Sequence, residues 1–278
     1  MTIIAFTFVL FFSAAIAGLT GSLTGLGGGV VLIPLLTLVF KVDIHYAIGT
    51  SLISVIATSS GAAAAYVKEG ITNIRLGMFL EMATTIGAIT GAVLATYIST
   101  SFIAILFGII LIISAITSFV RQEEKISNEP GSKFSNKLKL NNSFPSENGI
   151  HHYTVKNVAG GFLVMNIAGI ISGLLGIGSG ALKVIAMDSI MRIPFKVSTT
   201  TSNFMIGVTA AASAGIYLKR GYIDPGLSMP VVLGVLVGAF IGSKMLFRVR
   251  TKTLKILFAI VILFLSAEMI YNGITHQL

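Results

Sequence analysis

The chain alternates long apolar stretches with short polar breaks, and the stretches fall into two sets of five. The first set covers residues 3–24, 28–40, 45–67, 73–98 and 101–120, and the second covers 157–175, 181–191, 195–218, 226–247 and 253–274. Apolar runs of about 20 residues are the length of one bilayer crossing, and their continuity favours helices over the short alternating segments of a membrane barrel. Residues 28–40 and 181–191 are too short to cross alone. From Met1 to Phe40 there is no charged residue, a run about twice as long as one crossing needs. Something must fold it back, and the candidate is Gly25-Leu26-Gly27-Gly28-Gly29 ahead of Val30-Val31-Leu32-Ile33-Pro34. Each glycine weakens a helix interior by about 1 kcal/mol relative to Ala. Non-helical backbone survives at membrane depth only inside protein or against a watery cavity, so the break is a candidate binding site.

A second copy, Gly176-Ile177-Gly178-Ser179-Gly180, lies at an offset of 151 residues. At that offset Gly18 matches Gly169, Thr50-Ser51 matches Thr201-Ser202, Tyr66 matches Tyr217, Lys68 matches Lys219 and Gly91 matches Gly242. A gap-free register of this kind indicates duplication. Three regions follow: an N-terminal repeat at 1–120, a linker at 121–156 and a C-terminal repeat at 157–278. The linker is rich in Lys, Glu, Asn and Ser, contains Pro130 and Pro145 and has no sustained apolar period. It reads as solvated and mobile. Ser99-Thr100 implies a tight hairpin between the fourth and fifth stretches.

Basic residues decide between parallel and inverted halves. If each glycine run turns the chain back, Lys68, Arg75, Arg121, Lys125, Lys133, Lys137, Lys139, Lys156, Arg192, Lys196, Arg248, Arg250, Lys252 and Lys255 share one face, against Lys41, Lys219 and Arg220 on the other. That is 14 against 3. Four crossings per half would give 10 against 7. The positive-inside rule therefore favours inversion, with the linker cytoplasmic and both termini outside. The expected fold class is an all-α polytopic membrane protein of two inverted-topology repeats. Each repeat has a glycine-broken helix or helical hairpin plus about three further transmembrane helices. Paired interrupted helices in inverted repeats are the architecture of secondary transporters, with the substrate near the midplane where the breaks meet.

Composition agrees. The chain of 278 residues is 54% hydrophobic and 10% charged, with a mean hydropathy of +0.93. The net charge of +9 reflects orientation in the membrane rather than a nucleic-acid partner. Without Cys there is no disulfide or thiolate metal site, and His45, His151, His152 and His276 all fall in loops or tails. The first 40 residues contain no Lys or Arg, so a signal peptide's basic region is missing and the N-terminus is expected to stay.

Polar groups inside apolar spans mark function. Lys183, three residues past Gly180, needs a bound anion or a carboxylate such as Asp188, Glu81 or Glu268, with snorkelling toward water as the structural alternative. Free N–H groups and positive dipole ends where helices restart at Gly29 and Gly180 favour anions. The candidate substrate-binding set is therefore Gly27, Gly28, Gly29, Thr50, Ser51, Gly178, Ser179, Gly180, Lys183, Thr201, Ser202 and Asn203. Glu81 and Glu268 are candidates for proton coupling, or for pairing with Lys183 or Lys244. Gly87, Gly91, Gly238 and Gly242 read as helix-packing glycines.

These motifs resemble the sulfite exporter TauE/SafE family of membrane proteins. The resemblance rests on Gly21-x3-Gly25-Leu26-Gly27-Gly28-Gly29-x4-Pro34, Ala47-Ile48-Gly49-Thr50-Ser51, Tyr66 and Gly70. It continues in Gly173-x2-Gly176-Ile177-Gly178-Ser179-Gly180-Ala181-Leu182-Lys183, Thr201-Ser202, Tyr217 and Gly221-Tyr222-Ile223-Asp224. It covers both halves and excludes only the linker. It implies export of sulfite, sulfonates or related sulfur oxyanions across the cytoplasmic membrane, with a small anion and the lipid bilayer as partners and no cofactor. Two departures are Ser179 opposite Gly28 and Ile185 opposite Pro34, which predict a less sharp second break. A channel-like permease or importer is the nearest alternative. A membrane-embedded enzyme is disfavoured because the chain has no HExxH and its intramembrane acids are scattered.

Overall fold

The computed structural model describes residues 3–24, 28–68, 70–119, 133–146, 149–245 and 251–275, and nearly all of it is helix. In the first half α1 (Ile3–Thr24) precedes α2 (Gly29–Pro34), which widens into a π-helical segment at Leu35–Val39. Then come α3 (Ile44–Lys68), α4 (Ile74–Ala95) and α5 (Thr100–Phe119). The small α6 (Lys133–Lys137) and a hairpin of β1 (Asn142–Ser146) and β2 (Gly149–Tyr153) connect the halves. The second half has α7 (Val158–Leu175), α8 (Gly180–Ile185) with a π segment at Ala186–Ile190, α9 (Phe195–Lys219), α10 (Pro225–Met245) and α11 (Thr251–Ile274).

The bounds of α2, its π segment and α3 recur 151 residues later in α8, its π segment and α9. The π turns close alike. Phe40 and Val42 donate to the carbonyls of Leu35 and Leu36, and Met191 and Ile193 donate to those of Ala186 and Met187. Lys41 and Arg192 then take left-handed φ values of 53° and 56°. Pro34 lacks the N–H that would bond back one turn, yet Ile185 occupies the matching place in the same geometry. The proline is therefore not what widens the helix.

Among the described residues, α4, α7 and residues 225–242 of α10 are long and apolar enough to cross a membrane. α1 exposes Ile4, Phe8, Phe12 and Ile16, a stripe at helical spacing that suits lipid. Helix pairs approach closely at glycines. A Cβ on Gly238 of α10 would strike the Ala15 carbonyl of α1, and one on Gly87 or Gly91 of α4 would strike Asn166 or Ile170 of α7. Exchanging the halves converts the α1–α10 pair into α7–α4. The counterparts α3 and α9, and α5 and α11, pack on each other.

Contacts between helix ends order the chain. The Lys156 N–H donates to the Met191 carbonyl at 3.0 Å, so the segment that leaves through α7 comes back through α8 to its starting level. In the first half Phe6 and Phe40 pack edge to face at 5.7 Å. At one end of the bundle His45 lies 3.2 Å from the Ala95 carbonyl and stacks on Tyr222. At the other end Asn73, at the start of α4, bonds Thr201 in the first turns of α9 and Tyr153 of the hairpin. The start of α3 thus lies with the ends of α4 and α9, and the start of α4 with the start of α9.

The region expected as a mobile linker is folded over residues 133–146 and 149–156; residues 121–132 lie outside the described set. Leu140, Phe144, Tyr153 and Val155 are buried with Leu76, Leu80, Val158, Met187 and Met191. Strands of five residues bury too few side chains for their alternation to stand out from a polar composition.

Candidate functional site

The second glycine run is non-helical from Gly176 to Ser179. Gly176, Gly178 and Ser179 have φ of 66°, 72° and 46°. Glycine adopts this left-handed region freely, whereas Ser179 is held there at a cost of about 1 kcal/mol or more. The backbone leaves the helix here despite Ser179 and Ile185; residues 25–27 of the first run lie outside the described residues. Two serines clamp it: Ser51 Oγ donates to the Gly176 carbonyl at 2.9 Å, and Ser202 Oγ donates to the Gly180 carbonyl at 3.1 Å. These bonds satisfy carbonyls near the helix interruption.

The start of α2 abuts the same place. A Cβ on Gly29 would lie 2.6 Å from Ser51 Oγ and 3.3 Å from the Gly176 carbonyl, so glycine is what lets the first half approach the second break. Gly28 is buried against Val235. Gly178 faces Val55 and Ile206, and Gly180 faces Ile206 and Ser202. A crevice between the halves is lined by Val30, Ile110, Ser114, Ile177, Ser179, Gly180 and Leu182. Ser179 Oγ is buried there without a hydrogen-bond partner. Gly27 lies outside the described residues.

Lys183 points elsewhere. It is fully buried, and its ammonium donates to Thr209 Oγ1 at 2.5 Å. Thr209 Oγ1 in turn lies 2.6 Å from Glu81 Oε1, which also accepts from Thr85 Oγ1 at 3.3 Å. Glu81 is 5% exposed, and its Oε2 is buried with no hydrogen-bond partner. A buried cation and a buried carboxylate, contributed by different halves, thus meet through one hydroxyl. Burying either charge alone would be strongly unfavourable, and Thr209 couples them in a low-dielectric setting.

The remaining candidates scatter. Thr50 Oγ1 pairs with Ser228 Oγ at 3.2 Å, and Thr201 Oγ1 accepts from the Asn73 N–H at 3.1 Å. Asn203 is half-buried on α9 beside Ser202. Glu268 sits on α11, where its Oε2 accepts from Asn272 Nδ2 at 3.3 Å, apart from Lys183. Sequence reasoning missed Thr209, Asn73 and Ser228. Thr209 had a signal: it follows Ser202 by seven residues, two helical turns, and so shares its face. Asn73 had a weaker one as the cap of α4.

The apolar helices, the lipid-suited exposed stripe and the glycine-spaced packing define a helical membrane protein, and its relatives give the class. It covers 93% of its own length and 95% of the other chain in a 27% identical match to the probable membrane transporter protein YunE of Bacillus subtilis. The probable membrane transporter protein YdhB of the same organism is 28% identical over 85% of this chain and 87% of its own. The probable membrane transporter protein MJ0441 of Methanocaldococcus jannaschii is 25% identical over 87% of each. The protein is of the membrane transporter class, which is not an enzyme class. The family model of the sulfite exporter TauE/SafE matches residues 10–269, and the chain belongs to that family. No solved structure gave a significant match.

Proposed function

We propose that the protein is a secondary transporter that exports a small sulfur-containing anion, such as sulfite, an organosulfonate or thiosulfate, across the cytoplasmic membrane. The observation that carries this reading is the meeting of the two glycine runs, where Gly29 of one half lies against the Gly176 carbonyl of the other. Beside that contact, Ser179 presents a buried, unpartnered hydroxyl to a crevice between the halves. Lys183, four residues further on, supplies the positive charge. The family to which the chain belongs is described by sulfite export.

In this reading the halves are inverted and rock about the meeting point, opening it to each side in turn. Three observations support inversion. The ends of each broken segment lie together at Lys156–Met191 and Phe6–Phe40. α2 and its π segment are six and five residues long, roughly 16 Å at 1.5 Å per residue, about half of a hydrocarbon core. The start of α4 shares an end of the bundle with the start of α9 rather than with that of α3. Each half then has a re-entrant pair and three crossings, an odd number. The basic excess favours a cytoplasmic linker side. Ser51 and Ser202 hold the breaks in shape, and the N–H groups at Gly29 and Gly180 favour negative charge. Thr50 and Thr201 fix the helices around it.

Purified protein in liposomes, assayed for uptake of sulfite, sulfate, thiosulfate and taurine-like sulfonates, tests this. Saturable flux of at least one sulfur anion above protein-free liposomes is expected, together with a loss of an order of magnitude or more in Lys183→Ala. Flux of none of them would refute it.

A further inference from the structure

We propose that the transported anion displaces Glu81 as the partner of Lys183, and that Glu81 takes up a proton as it does so. Anion and proton then bind together and cross in the same direction, one with one. The inference rests on the transport reading above and adds its coupling ion and sign.

The geometry supplies each part. Among the described residues Lys183 Nζ has a single hydrogen-bond acceptor, Thr209 Oγ1, which also lies within hydrogen-bond distance of Glu81 Oε1. An ammonium has three donors, so an oxyanion that passes from the crevice lined by Ser179 and Leu182 to the Lys183 side of α8 offers acceptors that this arrangement lacks. Glu81 Oε2 is buried and unpartnered, a ready seat for a proton. Charge balance forces the two events together. At rest the pair sums to zero; adding a monoanion alone would leave one uncompensated negative charge in a water-poor interior, where such a charge is strongly unfavourable. A proton on Glu81 restores neutrality, and the proton leaves to solvent when the anion does.

Among the described residues the neighbourhood offers Glu81 no other charged partner. The charged residues on elements packed around Glu81 are Lys183 and Asp188 on α8 and its π segment, Lys196 and Lys219 near the ends of α9, and Arg75 at the start of its own helix. α7 carries none. Among the described charged residues only Lys183 enters the hydrogen-bond network of Glu81.

The test uses sulfite as probe in liposomes, with protein-free liposomes subtracted. In the native protein an imposed proton gradient should drive sulfite accumulation with no sulfite gradient present. Apparent affinity, expressed on the concentration of the monoanion, should rise about tenfold for each unit fall in pH, as uptake of one proton by the protein requires. Glu81→Gln, and Lys183→Arg with Glu81→Gln, in which the guanidinium keeps its charge, should each lose coupling and become driven by membrane potential. Sulfite flux in the native protein that ignores the proton gradient would overturn the proposal while leaving the transport reading intact. So would coupling that persists in the double variant. If either variant fails to fold, the native-protein gradient experiment decides alone. Absence of flux for every sulfur anion would remove the transport reading, and this inference with it.

Discussion

Asn73 ties three parts of the molecule together, and its removal should be felt in all three. Its Oδ1 caps α4 by accepting from the Leu76 N–H at 3.0 Å, and its Nδ2 donates to the Leu140 carbonyl at 2.9 Å and to Tyr153 Oη at 2.8 Å. It is 1% exposed, so water does not replace what is lost. In Asn73→Ala the cap costs about 1 kcal/mol. The two buried oxygens left without a donor cost about 1–3 kcal/mol each, for a total of roughly 3–7 kcal/mol. At about 2–4 °C per kcal/mol for a chain of this size, melting should fall by on the order of 10 °C. Asn73→Asp keeps the cap oxygen and loses both donors, and should fall between Ala and native. Tyr153→Phe leaves Asn73 Nδ2 the Leu140 carbonyl and should cost only about 1 kcal/mol. Burial pushes the Tyr153 phenol well above its ordinary value, so this hydroxyl stays protonated across the working range of the assay. Thermal melting in detergent gives the energies, and amide exchange of residues 142–146 and 149–153 reports the hairpin. An Asn73→Ala protein that melts with the native one, with unchanged hairpin exchange, would refute the anchoring role.

Three further outcomes follow from the geometry. Ser179→Gly relieves a left-handed serine and should raise melting slightly while weakening sulfite affinity about tenfold, the worth of one hydrogen bond to a charged group; unchanged affinity in the uptake assay would take the hydroxyl out of the site. Gly238→Val should cost about 1–3 kcal/mol or more by forcing α10 off the Ala15 carbonyl of α1, read as a lower melting temperature, whereas Gly215→Val, at a glycine with open space around it, should cost less. Ser99→Cys and Lys196→Cys, in a chain with no native cysteine, should label from opposite sides of the membrane; labelling from one side would contradict the inverted arrangement.

Much of the architecture could be read from the residues, because lipid enforces a simple rule. A segment about 20 residues long and free of charge has no alternative to helix, and the apolar stretches fall within a few residues of the observed α1–α5 and α7–α11. Glycine spacing exposed the duplication for the same reason: backbones that pack closely or leave the helix tolerate no side chain, so the register of 151 residues persists in the helix bounds.

What only the tertiary structure decided is which polar groups meet. Lys183 had Asp188, Glu81 and Glu268 as possible carboxylates, and nothing along the chain ranks them. The packing of α4 on α9 puts Thr209 between Lys183 and Glu81, and leaves Glu268 bonded to Asn272 on α11. The hairpin in the linker escaped for a related reason, since its few buried side chains gain their stability from Leu76, Leu80 and Met191 on other elements. Hydrophobic burial along a helix is a local property that sequence order records. Pairing of a hydroxyl, an ammonium and a carboxylate from three helices depends on distances of 2.5 to 2.6 Å across the bundle, which exist only once the halves have packed.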